Sequence, residues 1–203
     1  NMKSTINLIL ISLLTFSLVL TSCISEQSGK PRSTGKTNVI LVVTNTKAQW
    51  ESNIGAQVQE FFGRDLVGLP QPEPMFTFYN IALKDFNKIY KKFHNILIID
   101  INPEWDEPLV ETKTDLWSWP QRIIKITAPD EQSFAGVFSE QQDGFLRLYN
   151  KMERERVINS FEMANDVSIS NKLIRDFNLY LAVPGGFNVA KQDENFIWMR
   201  HTV

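Results

Sequence analysis

The chain has 203 residues, with 21 lysines and arginines against 23 aspartates and glutamates, which gives a formal net charge of −2 at neutral pH. This balance gives no support for nucleic-acid binding, which depends on a concentrated basic face. The single cysteine excludes an internal disulfide bond, and a hydrophobic content of 43% lets a chain of this size be stabilised by its core.

The N-terminal segment is typical of an exported protein. A basic start precedes a run rich in leucine and isoleucine at residues 6–20, and the only cysteine follows in the sequence LTSC at 20–23. The run is shorter than the roughly 20 apolar residues of a membrane-spanning helix and matches the apolar core of a secretory signal. LTSC resembles the lipobox of bacterial lipoproteins. We therefore predict a signal peptide at 1–22, cleavage between Ser22 and Cys23, and lipidation of Cys23.

Acylation of Cys23 would place the protein on a membrane of the cell envelope, because two or three acyl chains on one residue make a lasting anchor. Ile24 and Ser25 follow the cysteine, and neither is an aspartate that would argue for retention at the inner membrane. The expected location is therefore the outer membrane, facing the periplasm. Residues 23–37 are polar and predict a lipid-anchored flexible tether, followed by a globular domain at 38–203.

The first half of the domain begins with a strand. Two continuous apolar runs, at 39–43 and 95–101, predict strands buried on both faces of a sheet. Periodicity between these runs predicts a helix at 47–62, a strand at 75–81 and a helix at about 83–93.

The second half predicts a hairpin, a long helix and a second group of strands. Residues 110–119 alternate and 122–128 supply their hairpin partner. The longest helix begins after the N-cap residue Asp130 and continues to Phe161, with Gly144 marking a break or kink. The remaining predicted elements are a helix at 171–177 and strands at 179–183, 187–191 and 196–199. This order predicts an α+β or α/β domain with a mixed β-sheet and helices packed on it.

Four segments resemble a group of Bacteroidota envelope lipoproteins, which form the domain of unknown function number forty-eight thirty-seven. They are GLPQPEPMF at 68–76, WSWPQ at 117–121, ITAPD at 126–130 and DENFIWMR at 193–200. The resemblance implies export as a lipoprotein, and it supplies no activity and no catalytic residues. Members of that family extend beyond the point that matches Val203, so we expect the natural chain to continue past this residue.

The proline-rich segment is the first candidate for a binding site. Alternating prolines hold an extended loop that would present Gln71 and Glu73 to a partner, flanked by Met75 and Phe76. The alternative is a crossover loop packed against the core by its apolar residues.

Acidic and tryptophan side chains form the second group of candidates. The acids that follow the strand at 95–101 would ligate calcium or act as an acid–base pair, or they form a solvated loop. The tryptophans would stack on a sugar ring, or they pack at the edge of the core. These residues are Asp100, Glu104, Asp106, Glu107, Trp105, Trp117 and Trp119.

Metal and nucleophile chemistry find little support. His94 and His201 are the only histidines, too few for a zinc site with three imidazole ligands, and each is predicted at the boundary between core and surface. No cofactor and no metal are expected.

The leading hypothesis is a non-catalytic binding or assembly module for a protein or glycan partner in the envelope. The alternative is a carboxylate-dependent hydrolase that uses acids between Asp100 and Glu111, with carboxylates roughly 5–10 Å apart.

Overall fold

The computed structural model describes residues 29–201. The predicted signal peptide, Cys23 and residues 24–28 of the predicted tether lie outside the described residues. The described elements, in chain order, are β1 (Val39–Thr44), α1 (Lys47–Trp50), α2 (Asn53–Phe62), β2 (Thr77–Ala82), β3 (Asn95–Ile101), β4 (Leu109–Thr114), β5 (Arg122–Ala128), α3 (Glu131–Met163), α4 (Val167–Phe177), β6 (Phe187–Asp193) and β7 (Phe196–His201).

Five strands form one mixed sheet in the order β2-β1-β3-β5-β4. The first four are parallel, and β4 pairs antiparallel with β5 at one edge. The two continuous apolar runs of the sequence are β1 and β3 at the centre of this sheet. The mixed sheet with helices packed on it confirms the predicted α+β class.

One face of the sheet is covered by α2 and α3, and the largest cluster of buried side chains lies there. Aromatic rings fill it: Phe62 packs edge-on against Phe76 and Tyr149, with ring centroids 6.1 and 5.7 Å away. The hydroxyl of Tyr149 donates to the carbonyl oxygen of Ile96 at 2.9 Å. Burial raises the pKa of Tyr149 well above its ordinary value, so the hydroxyl remains a neutral donor.

The helix predicted at 47–62 is divided into α1 and α2. Ser52 has an extended backbone, and its hydroxyl accepts from the N–H of Ile54, so a new helix begins there. The tight corner requires a glycine at 55, because a Cβ would lie 1.7 Å from the carbonyl oxygen of Trp50. The apolar periodicity of the sequence did not predict this second N-cap at Ser52.

No α-helix of the described chain covers the other face of the sheet. The helix predicted at 83–93 is wrong: this segment contains two short 3₁₀ turns, Leu83–Asp85 and Tyr90–Lys92. Between them the side chain of Asn87 accepts from the N–H of Ile89 at 2.9 Å, a local bond that competes with the helical ladder. Phe86, Tyr90, Phe93 and Trp117 pack on this face around a smaller apolar cluster.

Other boundaries also differ from the sequence predictions. The strand predicted at 110–119 ends at Thr114, because Asp115 adopts a left-handed conformation (φ 53°) and closes a loop with Gln121. Gly144 causes no break: α3 is continuous over 33 residues, and buried side chains at Phe138, Phe145 and Tyr149 keep it on the sheet.

The C-terminal part has its own arrangement. Residues 179–183 are irregular, whereas the sequence predicted a strand. The carbonyl oxygen of Leu181 accepts from the hydroxyl of Ser170 and the N–H of Val183 donates to the side chain of Asn165, so these backbone groups bond to side chains and not to a neighbouring strand. Strands β6 and β7 form a separate hairpin. Gln192 of β6 donates to the carboxylate of Asp176 in α4 at 3.1 Å and so connects the hairpin to this helix. Hydrogen bonds from Lys172 and Gln192 lower the pKa of Asp176 to about 2.

Residues 30–35, which we call the strap, lie against the domain rather than extending from it. Ser33 donates to the carbonyl oxygen of Trp119 and Thr34 to that of Lys92, at 2.9 and 2.8 Å. The side chain of Lys30 donates to the carbonyl oxygen of Asp115 at 2.6 Å. The ordered domain therefore begins before residue 38, the boundary predicted from polar composition alone.

Candidate functional site: a groove on the helix-free face

A groove opens on the helix-free face, over the carboxyl half of β3 and the amino half of β5. Its floor is formed by Ile98 and Ile123, which are only 7% and 3% exposed. We call this cavity, of about 340 Å³, the sheet groove. The side chains that line it are Leu83, Phe86, Lys91, Ile98, Asp100, Glu111, Lys113, Leu116, Trp117, Ile123 and Lys125.

The floor and a charged rim of the groove come from side chains that lie two residues apart along the same strands. Every second residue of a strand points to the same face, so Asp100 follows Ile98 and Lys125 follows Ile123 along the groove. The ammonium group of Lys125 lies 3.7 Å from a carboxylate oxygen of Asp100, whose other oxygen accepts from the amide of Asn45 at 3.1 Å. Lys113 and Glu111 on β4 are 3.6 Å apart. The rim therefore carries both signs of charge beside an apolar floor.

Two irregular segments supply the aromatic walls. Phe86 stands between the two 3₁₀ turns and packs edge-on against Trp117, with ring centroids 5.5 Å apart. The ammonium group of Lys91 lies 5.2 Å from the centre of the Trp117 ring, within the range of a cation–π interaction. These contacts hold both rings in place at the side of the groove.

The buried side chain of Gln121 fixes the loop that carries Trp117. Its amide nitrogen donates to the carbonyl oxygens of Lys91 and Phe93 at 2.6 and 2.7 Å, and its amide oxygen accepts from Trp117 at 3.0 Å. Ser118 adds a bond to the carbonyl oxygen of Lys92. Gln121 is not among the site residues predicted from the sequence. A glutamine after the WSWP turn gives no signal of burial, and only the fold reveals its partners.

The proline-rich loop lies elsewhere. It leads into the amino end of β2, at one edge of the sheet, whereas the groove is lined by β3, β5 and β4 toward the other edge. Gln71 and Glu73 are exposed there and Met75 is half-buried, so the loop tip projects into solvent. Phe76 is 1% exposed and packs in the core against Phe62 and Tyr149, which leaves it no surface for a partner.

The structure brings only some of the acidic and tryptophan candidates together. Trp117 and Asp100 share the sheet groove. Trp105 is 39% exposed beside it, with the ammonium group of Lys125 at 5.6 Å from its ring. Trp119 instead lies beneath the guanidinium of Arg32, 4.2 Å from its ring centre. Glu104, Asp106 and Glu107 are exposed in the loop after β3. Within residues 29–201 no three His, Cys, Asp or Glu side chains are placed to hold a metal ion.

His94 is fully buried, so its predicted boundary position is wrong; His201 is exposed. One ring nitrogen of His94 lies 2.7 Å from the carbonyl oxygen of Thr34, and the other lies 2.7 Å from a carboxylate oxygen of Glu153. Glu153 is also buried. Burial raises the pKa of Glu153, but the hydrogen bond and charge of His94 and the charge of Arg156 outweigh it, and the net pKa is lowered. This cluster joins the strap to α3.

The chain belongs to a family of unknown function. The model of Domain of unknown function (DUF8532) matches residues 33–162, which span the sheet, the groove and most of α3. This family is not the one whose number the sequence resemblance suggested, so that part of the assignment is corrected. No curated protein and no solved structure matches the chain. In the described residues, no helix is both long and apolar enough to cross a membrane.

Proposed function

We propose that the chain is a lipid-anchored protein of the cell envelope that binds a protein partner in the sheet groove and catalyses no reaction. The observation that carries this proposal is an apolar groove on a sheet face without a helix, with Ile98 and Ile123 at its floor and the exposed side chains of Leu83 and Leu116 along its sides. Binding sites of this kind combine an apolar floor with a few polar groups that fix orientation. An apolar side chain of the partner would enter the groove, and charged neighbours would meet the rim.

The location in the proposal rests on the sequence. LTSC at 20–23 supports acylation of Cys23, and Ile24 and Ser25, neither of which is an aspartate, support an outer-membrane anchor that faces the periplasm. A partner in this setting is another envelope protein within reach of the membrane surface. The leading hypothesis also allows a glycan partner. The exposed ring of Trp105 is the support for a glycan, and it is weaker than the support that the apolar groove gives to a protein partner.

Photo-crosslinking in intact cells tests the proposal. A photoreactive phenylalanine analogue replaces Leu116 at the groove rim, and Leu179 in the C-terminal part serves as the matched control, because their exposures are 46% and 49%. We expect a discrete protein adduct from position 116 and none from position 179. The adduct should disappear when Leu83→Arg places a charge in the groove. Glycan adducts alone, or the same adducts from both positions, would contradict the proposal.

A hydrolase remains the second candidate, because Asp100 and Glu111 line the same groove. A carboxylate pair facing one cleft is what acid–base hydrolysis requires. Against it, both oxygens of Asp100 are engaged, one by Asn45 and one by Lys125. The purified full chain is assayed with ester, peptide and glycoside substrates. Turnover that Asp100→Asn abolishes would establish the hydrolase and end the proposal of a non-catalytic binder.

A further inference from the structure

A second cavity lies between the strap and the last turns of α3, away from the sheet groove. Its volume is about 470 Å³. Arg32, Ser33, Arg156 and Ser160 are among the residues that line it, and no Asp or Glu is among its described lining residues. The hydroxyl of Ser160 donates to the carbonyl oxygen of Val157, so the two planar guanidinium groups are the donor set that suits a phosphate group.

The guanidinium groups at this cavity are only partly neutralised. Arg156 pairs with the carboxylate of Glu153 at 3.0 Å, and the same carboxylate lies 2.7 Å from a ring nitrogen of His94. Among the described residues no carboxylate lies within ion-pair distance of Arg32 or lines the cavity. An anion bound between Arg32 and Arg156 would neutralise the guanidinium of Arg32.

The guanidinium of Arg32 is held where such an anion would bind. It stacks over the ring of Trp119 at 4.2 Å, and its Nη2 contacts the sulfur of Met163 at 2.6 Å on α3. Arg156 donates to the carbonyl oxygen of Gly35 at 3.2 Å, so both arginines are attached to the strap. The cavity is thus assembled where strap and α3 meet.

The strap is also the described segment nearest to the predicted anchor. Arg32 follows Cys23 by nine residues, and a chain of that length spans at most about 30 Å. Lys30, Arg32 and Lys36 lie in this stretch, and residues 29–38 contain no acid. Basic residues next to a membrane anchor are attracted to anionic lipids.

We propose that the cavity between Arg32 and Arg156 binds the phosphate of an anionic phospholipid headgroup. The choice of a lipid over free phosphate rests on the proposed anchor at Cys23, whereas the phosphate chemistry rests on the two arginines. Headgroup binding would hold the domain with its strap toward the membrane and its sheet groove at a defined orientation.

Thermal unfolding of the full chain in a neutral detergent tests this site. Soluble dihexanoyl phosphatidylglycerol is added, with dihexanoyl phosphatidylcholine and inorganic phosphate as comparison arms. A ligand that binds only the folded state raises the melting temperature by an amount that grows with the logarithm of its concentration relative to its Kd. We expect a rise with phosphatidylglycerol alone. Arg32→Gln should weaken this binding about fivefold, whereas the exposed Arg200→Gln, which makes the same charge change away from the cavity, should leave it unchanged.

Three results would overturn the proposal: no response to phosphatidylglycerol, an equal response to inorganic phosphate, or an equal loss in Arg200→Gln. The anchor and the groove are checked separately. Cys23→Ala removes the acylation site and Leu83→Arg blocks the groove, and both should keep the headgroup response. Mass spectrometry of the exported protein reads acylation directly, so an unmodified Cys23 would contradict the anchor without removing the headgroup site.

Discussion

The side-chain amide of Gln121 donates a hydrogen bond to the carbonyl oxygen of Phe93 at 2.7 Å and so ties two irregular segments together across the helix-free face. One segment carries Phe86 and the other carries Trp117, the two aromatic walls of the sheet groove. Gln121 thus helps to hold the irregular segments whose aromatic side chains pack on this face, where α/β proteins usually have a helix.

Gln121→Leu should lower the free energy of unfolding by about 2–4 kcal/mol, because it leaves the carbonyl oxygens of Lys91 and Phe93 buried without their donor. Urea denaturation measures the change. The exposed Gln132→Leu on α3 serves as the control and should stay within about 0.5 kcal/mol of the wild type. Equal stability of Gln121→Leu and the wild type would contradict the role of this residue as a clamp.

Glu153→Gln should lower the free energy of unfolding by about 3 kcal/mol at neutral pH, because it removes the carboxylate that is bonded to both His94 and Arg156. The folded-state pKa of Glu153 lies below its ordinary value of 4.5. Its stabilising contribution is therefore present above pH 4.5 and is lost as the pH falls from there through the folded-state pKa. The stabilities of the two proteins should therefore converge as the pH falls from 4.5 through the folded-state pKa of Glu153, as measured by urea denaturation across a pH series.

The control for that prediction is Glu155→Gln, which removes a carboxylate of the same helix that is 43% exposed and pairs with Lys151 at 3.8 Å. Exposed pairs contribute at most about 1 kcal/mol. A difference between wild type and Glu153→Gln that stays constant with pH would show that packing, not charge, accounts for the loss.

Much of the sheet follows from local sequence. The apolar runs of β1 and β3 and the alternation of β5 decide which residues enter the core, and Asp130 bonds the N–H of Ser133 as an N-cap should, which lowers the pKa of Asp130. The 3₁₀ segment at 83–93 was not predictable in this way, because a single side-chain bond at Asn87 overrides a helical apolar pattern.

The groove depends on long-range contacts and was therefore only partly predictable. Asp100 and Trp117 were candidates from the sequence, but 17 residues separate them, and only strand order and the bonds of Gln121 bring them to one cavity. The floor residues Ile98 and Ile123 look like ordinary core positions. Their role depends on the absence of a covering helix, which no local pattern encodes.

Phe76→Ala should lower the free energy of unfolding by about 3–5 kcal/mol, because the ring is buried against Phe62 and Tyr149. Gln71→Ala in the same proline-rich loop should change it by less than about 0.5 kcal/mol, since the side chain is exposed. Urea denaturation of the two variants distinguishes a residue that packs in the core from one that is exposed at the surface. Similar small changes at both positions would return Phe76 to the set of binding candidates.

Substitution by alanine should change the stability of the fold in opposite directions at two glycines. Gly55→Ala should destabilise the fold strongly, because the new Cβ would meet the backbone carbonyl of Trp50. Gly136→Ala should raise the free energy of unfolding by about 0.5–1 kcal/mol, since it has open space inside α3 and alanine loses less backbone freedom than glycine on folding. Thermal and urea denaturation measure both. A stable Gly55→Ala variant would show that the α1–α2 corner is looser than described.

The dissociation constant of the crosslinked partner, measured with purified full chains, tests the central claim most directly. The wild type is compared with Leu83→Arg, at the groove, and with Leu179→Arg, which adds the same charge away from it. The account predicts at least about tenfold weaker binding for Leu83→Arg, the loss expected when one apolar contact is removed from the interface, and an unchanged constant for Leu179→Arg. Equal affinity for the wild type and Leu83→Arg would show that the partner binds elsewhere and would contradict the assignment of the sheet groove.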